Sequence, residues 1–175
     1  VEIVGVTSEQ SFGEPITTRL PFLKGHTDLI LEKLDPDQLA EKADLIFSAL
    51  SHTQGMKAVR EWIEAGKKVI DLSADYRLES ASLYEKWYKT PHLEPALLKK
   101  AVYGLPEIYR KQIAQGSTRL IANPGCYPTG ALLSLYPFLK SREVDTTREI
   151  IIDAKSGVSG AGRSPVSPSE GRRPC

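Results

Sequence analysis

Residues 44–72 read DLIFSALSHTQGMKAVREWIEAGKKVIDL, a self-contained strand–helix–strand unit. The runs 44–50 and 68–72 are apolar and too short for helices, as strands of a buried parallel sheet are. Between them Val59, Trp62 and Ile63 share one face at helical spacing. Gly66 stands where a helix ends in the left-handed conformation. A helix placed between two strands is the crossover that parallel pairing requires.

Outward from this unit the same alternation continues. Further strands are predicted at 2–6 (EIVGV), 119–122 (RLIA) and 149–154 (EIIIDA), with a weaker one at 28–31. Asp35-Pro36 followed by Gln38 supplies a cap, a first-turn proline and a capping-box partner for a helix carrying Leu39 and Ala43. Ser82 and Glu85 repeat the capping-box spacing ahead of Trp87. Residues 127–139 are apolar nearly all round, as a packed central helix would be, with Pro137 limiting or kinking the last turn. Strands alternating with helices predict an α/β fold: a mainly parallel sheet covered on both faces.

The 175 residues contain 41 % hydrophobic and 26 % charged residues, the balance of a globular protein and not of a disordered chain. Lys and Arg (23) nearly cancel Asp and Glu (22), and neither sign forms a block, which argues against a nucleic-acid partner. No apolar run approaches the roughly 18 residues of a membrane span, and no signal-peptide layout opens the chain, so no membrane partner and a cytoplasmic location are expected. Two cysteines, Cys126 and Cys175, make no disulfide framework and no zinc spacing, leaving thiol chemistry as the role open to them. The chain opens directly on a strand pattern, and residues 164–175 (SPVSPSEGRRPC) have no helical or strand period. Those ends read as a truncated or frame-disturbed chain, or as a natural disordered terminus.

In an open α/β sheet ligands lie beyond the carboxyl ends of the strands. The residues following the predicted strands are Thr7 and Ser8; Ser51, His52, Thr53 and Gln54; Ser73, Ala74, Asp75, Tyr76 and Arg77; Asn123, Pro124, Gly125 and Cys126; and a glycine-rich run from Ser156 through Gly157 and Gly160 to Arg163. Small polar residues and glycines let backbone approach a ligand closely, although turns are rich in them everywhere. Cys126 follows a strand and a Pro-Gly turn and precedes a helix, so the positive helix end favours its thiolate and makes it the candidate nucleophile. Cys175, in the tail, reads as incidental. The glycine-rich run has neither P-loop nor GxGxxG spacing; with Arg163 it suits an anion-holding nest or a flexible connector. His52 belongs to the rim, whereas His26 and His92, beside Gly and Pro, read as solvated loop residues. No carboxylate pair is placed for acid–base work and no GxSxG elbow occurs.

Four motifs in order, RLIANPGCYPT (119–129), DAKSGVSGAGR (153–163), VIDLSADYRL (69–78) and VYGLPE (102–107), resemble N-acetyl-gamma-glutamyl-phosphate reductases, relatives of aspartate-semialdehyde dehydrogenase, over residues 1–163. The resemblance implies a Rossmann-like NADP-binding domain over 1–125 with its first strand missing, the start of an α+β catalytic and dimerisation domain over 126–163, and an unstructured, out-of-frame tail over 164–175. It implies Cys126 as nucleophile and NADP held by Thr7, Ser8, Ser51, Asn123, Ser156, Gly157 and Gly160. Ser8 is placed to read the adenosine ribose and its phosphate. Arg77 and Arg163 are candidates for anion contacts with an acyl-phosphate substrate, and a homo-oligomer is expected when the chain is complete. The family's opening GxxGxxG turn does not occur in this sequence, its catalytic histidine lies downstream of the SGVSGAGR run, and Ser51 stands where proline is expected. Three alternatives stay open: a catalytically silent fragment, a paralogue reducing a carrier-protein-bound aminoadipyl phosphate, and a Cys/His hydrolase working without nicotinamide.

Overall fold

A computed structural model of the chain describes residues 1–155 and 157. The chain divides into two compact units, Val1–Asn123 and Pro124–Cys175. In the first unit the elements run β1 (Val6–Thr7), α1 (Ile16–Arg19), a 3-10 turn (Pro21–Leu23), β2 (Leu31–Glu32), α2 (Pro36–Lys42), β3 (Leu45–Ser48), α3 (Gly55–Glu64), β4 (Lys68–Asp71), α4 (Ala81–Tyr88), α5 (Pro95–Leu98), β5 (Val102–Tyr103), α6 (Pro106–Ile113) and β6 (Leu120–Ala122). The second unit carries α7 (Cys126–Ser141).

The sequence 44–72 folds as its pattern demands. β3 and β4 pair in parallel with Ile46 opposite Val69 and Ser48 opposite Asp71, and α3 makes the crossover. The sheet continues in the order β3-β4-β6-β5, every pair parallel, while β1 and β2 form a separate parallel pair. Burial alternates along the strands: Ile46, Val69, Leu120 and Ala122 are buried with Val59 and Trp62 of α3 and Leu39 of α2 in one core cluster. The opposite face keeps Leu45 and Phe47 exposed, so the strands read as buried on both faces are, in β3, buried on one.

Local signals explain the helix ends. Asp35 accepts the Gln38 N–H at 3.0 Å with Pro36 in the first turn of α2, as expected. Past α3, Gly66 adopts φ +77°, the left-handed position its placement predicted. The cap of α4 is Ser80, whose hydroxyl accepts the Leu83 N–H at 3.2 Å. The expected Ser82–Glu85 box is displaced two residues because Ser80 is the extended residue from which a hydroxyl reaches forward, whereas Ser82 is already inside the helix.

Three strand expectations change. Residues 2–5 hold no strand, and pairing begins only at Val6, opposite Leu31. Residues 149–154 lie outside any helix or strand; among the described residues no strand pairs with them, and an unpaired backbone makes no ladder. β5, inside the VYGLPE motif, was not expected as a strand because it has only two residues. It pairs closely with β6: a Cβ on Gly104 would stand 2.9 Å from Ile121 Cγ2 and 3.1 Å from the Ala122 carbonyl oxygen, a space only glycine fits. α7 runs through Pro137 to Ser141, and none of its residues is buried. It is the only regular element of its unit among the described residues, so its apolar surface has no layer of that unit to pack on, contrary to the packed central helix expected.

Candidate functional site

β3 and β4 end side by side at Ser48 and Asp71, and both chains turn there into loops that are bound to each other. From the β4 side, the Asp75 carboxylate accepts the Thr53 N–H at 2.9 and 3.2 Å and the Tyr84 hydroxyl at 2.6 Å. The Ala74 N–H donates to His52 Nδ1 at 3.1 Å. Ser73 completes the path, accepting the Asp75 N–H at 3.1 Å and donating its hydroxyl to Asp71 at 2.6 Å. Thr53 is held at φ +69°, a left-handed conformation that costs a β-branched residue energy unless neighbours fix it.

Aromatic rings back this junction. Tyr84 is fully buried and stacks on Tyr88 at 4.7 Å between centroids, and Tyr88 lies 5.7 Å from the His52 ring. Burial, reinforced by the bond to Asp75, holds the Tyr84 hydroxyl far above the usual phenol range, so it stays a donor. His92 is 6 % exposed and packs edge-on against Tyr76 and Tyr84. Its Nδ1 accepts the Glu94 N–H at 3.0 Å, so Nε2 carries the proton and donates to the Asp75 carbonyl at 2.7 Å. The solvated loop position expected for His92 is therefore overturned: a neutral ring making two backbone hydrogen bonds loses nothing by burial. His26 is exposed, as expected.

Asp71 is the one buried carboxyl of the junction whose bonding is incomplete. Its Oδ1 and the neighbouring Ser48 hydroxyl have no partner at bonding geometry among the described residues. Burial pushes the Asp71 carboxyl above the usual carboxylate range, with the Ser73 and Ser48 hydroxyls pulling the other way. A folded-state value above the unfolded one means that the folded chain holds the proton more tightly; ionised Asp71 thus weakens the fold at neutral pH, and stability is regained as pH falls through the raised value. Asp71→Asn, which sets an amide donor toward Ser48, is expected to stabilise the unit at pH 7 by about 1 kcal/mol. The advantage should shrink on acidification in urea titrations run across that range; an equal advantage at all pH values would contradict it.

The other predicted site residues fall as follows. Thr7 ends β1, and Ser8 donates its N–H to Glu32 at 2.9 Å while its hydroxyl accepts the Ser11 N–H. Ser51 is exposed at the end of β3. Asn123 donates its N–H to the Asp71 carbonyl at 2.8 Å, and Arg77 bridges the two strand ends, giving Nε to the Asn123 carbonyl and a terminal N–H to the Leu72 carbonyl, both at 2.7 Å. In the first unit, then, the structure brings Ser51, Arg77 and Asn123 to the carboxyl ends of neighbouring strands. In the second unit Cys126 is exposed and opens α7, with Gly125 at the cap position and no side-chain cap. Since Pro128 has no N–H, Cys126 and Tyr127 carry the forward N–H groups at that start. Gly157 is exposed; Ser156, Gly160 and Arg163 lie outside the described residues, as does the tail. Tyr84 and His92 were not singled out as site residues, because a tyrosine within a helix and a histidine after a proline carry no local mark of converging on Asp75. No group of three or more His, Cys, Asp and Glu is gathered for a metal among the described residues, and none of their helices is long and apolar enough to cross a membrane.

Comparison with known proteins extends the geometry. Residues 1–116 match the family described as semialdehyde dehydrogenase, NAD binding domain, and residues 126–173 match semialdehyde dehydrogenase, dimerisation domain. N-acetyl-gamma-glutamyl-phosphate reductase of Citrifermentans bemidjiense is 53 % identical over 163 residues, 93 % of this chain and 46 % of that protein. The protein of that name from Heliobacterium modesticaldum is 49 % identical over 164 residues, again 46 % of its length. The chain therefore spans about half the length of the curated relatives it matches. Among solved structures, aspartate semialdehyde dehydrogenase with NADP from Candida albicans has a TM-score of 0.50 at 16 % identity, covering 79 % of this chain and 39 % of that one, which shows a shared fold. With the two family matches following one another along the chain, and the first covering a parallel α/β fold, the chain belongs to the semialdehyde dehydrogenase family, beside relatives named N-acetyl-gamma-glutamyl-phosphate reductase.

Proposed function

We propose that the protein carrying this chain reduces N-acetyl-L-glutamyl 5-phosphate to N-acetyl-L-glutamate 5-semialdehyde, with NADPH as hydride donor and inorganic phosphate released, a step of arginine biosynthesis in the cytoplasm. The observation that carries this reading is the 53 % identity to a reductase of that name across 163 residues. The domains proposed are a cofactor-binding part over 1–125 and the start of a catalytic and dimerisation part over 126–163; the family matches over 1–116 and 126–173 support that order, the second reaching past 163 into the stretch read as a tail, and a second copy of the chain is the partner proposed.

The donors present suit a phosphate-bearing dinucleotide. α3 begins at Gly55, and Gln54 at its cap position gives no side-chain cap, so an anion can take the place of one at the helix start, with Ser51 and His52 exposed in the loop before it. Thr7 and Ser8, Ser51, Asn123 and the run with Ser156, Gly157 and Gly160 are the groups assigned to hold it, and Arg77 and Arg163 to meet substrate anions. NADPH, when bound, supplies the hydride that reduces an acyl thioester to the aldehyde level.

Cys126 contributes the covalent step. Its thiolate sulfur attacks the acyl-phosphate carbonyl carbon, the carbon–oxygen bond to phosphate breaks, and phosphate departs with the electron pair. The forward N–H groups of Cys126 and Tyr127 are suited to the oxyanion formed on the way. After hydride addition to the thioester carbon, the thiohemiacetal collapses, the carbon–sulfur bond breaks and Cys126 leaves again as thiolate. One hard displacement is divided into two easier ones. The test follows absorbance of NADPH with N-acetyl-glutamyl phosphate and, in parallel, a carrier-bound aminoadipyl phosphate. Consumption with the acetylated substrate, matched by phosphate release, is expected; consumption with the carrier-bound substrate alone, or phosphate release that needs no NADPH at steady state, would replace the reading.

A further inference from the structure

The two loops at the ends of β3 and β4 contain a device that the proposed reaction does not by itself call for. A backbone N–H can only donate, so the 3.1 Å contact from Ala74 obliges His52 Nδ1 to keep its lone pair. His52 is thereby the neutral tautomer with its proton on Nε2, on the side of the ring away from Ala74. The ring is exposed, and Nε2 has no partner among the described residues. What places the ring is the neighbouring residue: Thr53 stands at φ +69°, and its N–H is taken by both oxygens of the buried Asp75. Asp75 is fixed in turn by the Tyr84 hydroxyl, and Tyr88, stacked on Tyr84, leans on the imidazole.

We infer that Asp75 is a positioning residue which, through Thr53, locks His52 as an Nε2–H donor aimed at an anionic phosphate oxygen at the carboxyl ends of the sheet. An isolated imidazole exchanges between two tautomers and offers a donor at Nε2 only part of the time; the Ala74 contact removes the alternative before the ligand arrives. The aromatic wall supplied by Tyr88 restricts the ring's rotation, so the donor meets the oxygen with little ordering left to do. The source of the phosphate, dinucleotide or acyl phosphate, rests on the reading proposed above; the locked donor does not.

Long-range proton–nitrogen correlation spectra of histidine-labelled full-length protein report the tautomer of each ring. Wild type is expected to show His52 as Nε2–H and exposed His26 as an average of both forms. Asp75→Asn should shift His52 toward the average, and the double variant Asp75→Asn with Thr53→Gly should recover the locked form, because glycine adopts the left-handed backbone without a carboxylate to hold it. A merely structural aspartate would not be rescued by that glycine. Should the Asp75 variants fail to fold, exposed His52 still tests the donor: His52→Ala should raise the dissociation constants of NADPH and of inorganic phosphate roughly tenfold or more, and His52→Gln, which keeps an N–H, should restore most of the loss. An averaged His52 in wild type, a tautomer indifferent to Asp75→Asn, or unchanged constants for both probes in His52→Ala would each overturn the inference. Phosphate binding that depends on His52 in a protein that binds no NADPH would uphold the donor and remove the proposed cofactor instead.

Discussion

On the proposed function, Cys126→Ser should lower the NADPH-dependent turnover of the protein carrying this chain by more than about a thousandfold while leaving its melting temperature unchanged. The loss is large because a covalent intermediate has no substitute route of comparable speed, and removing a nucleophile from such a mechanism costs several orders of magnitude. Stability is spared because Cys126 is exposed and stands at the first position of α7, where a serine is as well accommodated as a cysteine. The first half-reaction isolates the role further. Wild type mixed with acyl phosphate and no NADPH should release one equivalent of phosphate in a burst and then stop at the thioester, and Cys126→Ser should give no burst. Turnover within tenfold of wild type, or a burst retained in the variant, would remove Cys126 from the reaction.

The burst also separates Cys126 from the groups at the β3 and β4 ends. His52→Ala is expected to weaken binding of phosphate-bearing ligands yet preserve the burst at saturating substrate, since the sulfur and its helix start are untouched. In the roles proposed for them the two residues differ in the quantity that each would control, the covalent step for Cys126 and ligand affinity for His52.

Residues 44–72 were legible because each level of information agreed there: apolar strands, one apolar helix face and a glycine at the left-handed stop, which the structure returns as β3, α3, β4 and φ +77° at Gly66. The cap of α2 was readable for the same reason. Where pairing decides, composition misleads. The isoleucines at 150–152 have high strand propensity yet form no strand, since a strand exists only beside another, whereas Val102 and Tyr103 form one on the strength of β6 and the glycine that follows. Strand ends marked where the candidate site was sought, and the structure does place Ser51, Arg77 and Asn123 near them, but the hydrogen bonds around Asp75 left no mark in the sequence. Tyr84 and His92 reach Asp75 from 9 and 17 residues away through tertiary contact. His92 was read as solvated because a histidine's surroundings cannot be told from its neighbours in sequence; its two backbone partners, Glu94 N–H and the Asp75 carbonyl, are what make burial acceptable.

Trp62→Ala is the substitution expected to cost the fold most, about 3–5 kcal/mol. Trp62 is 2 % exposed and its indole fills the core between α3, α2 and the sheet, among Leu39, Ile46, Val59, Val69 and Leu120. Its N–H donates to the Pro36 carbonyl at 3.0 Å, tying the first turn of α2 to the crossover helix. Truncation opens a cavity that β3 and β4 cannot close without breaking their register, so little of the loss is recovered by collapse. Trp62→Phe separates the two contributions: it retains most of the apolar volume and gives up the hydrogen bond, and should cost about 1–2 kcal/mol. Urea unfolding followed by far-ultraviolet circular dichroism measures both, with the midpoint moving and the slope unchanged if the transition stays cooperative. Because small domains are stable by only about 5–15 kcal/mol, the loss in the alanine variant is a large share of the total and that in the phenylalanine variant a small one. A loss below about 1 kcal/mol for Trp62→Ala would mean that α3 does not press this ring into the sheet, and the crossover that orders the β3 and β4 ends would then lack its anchor.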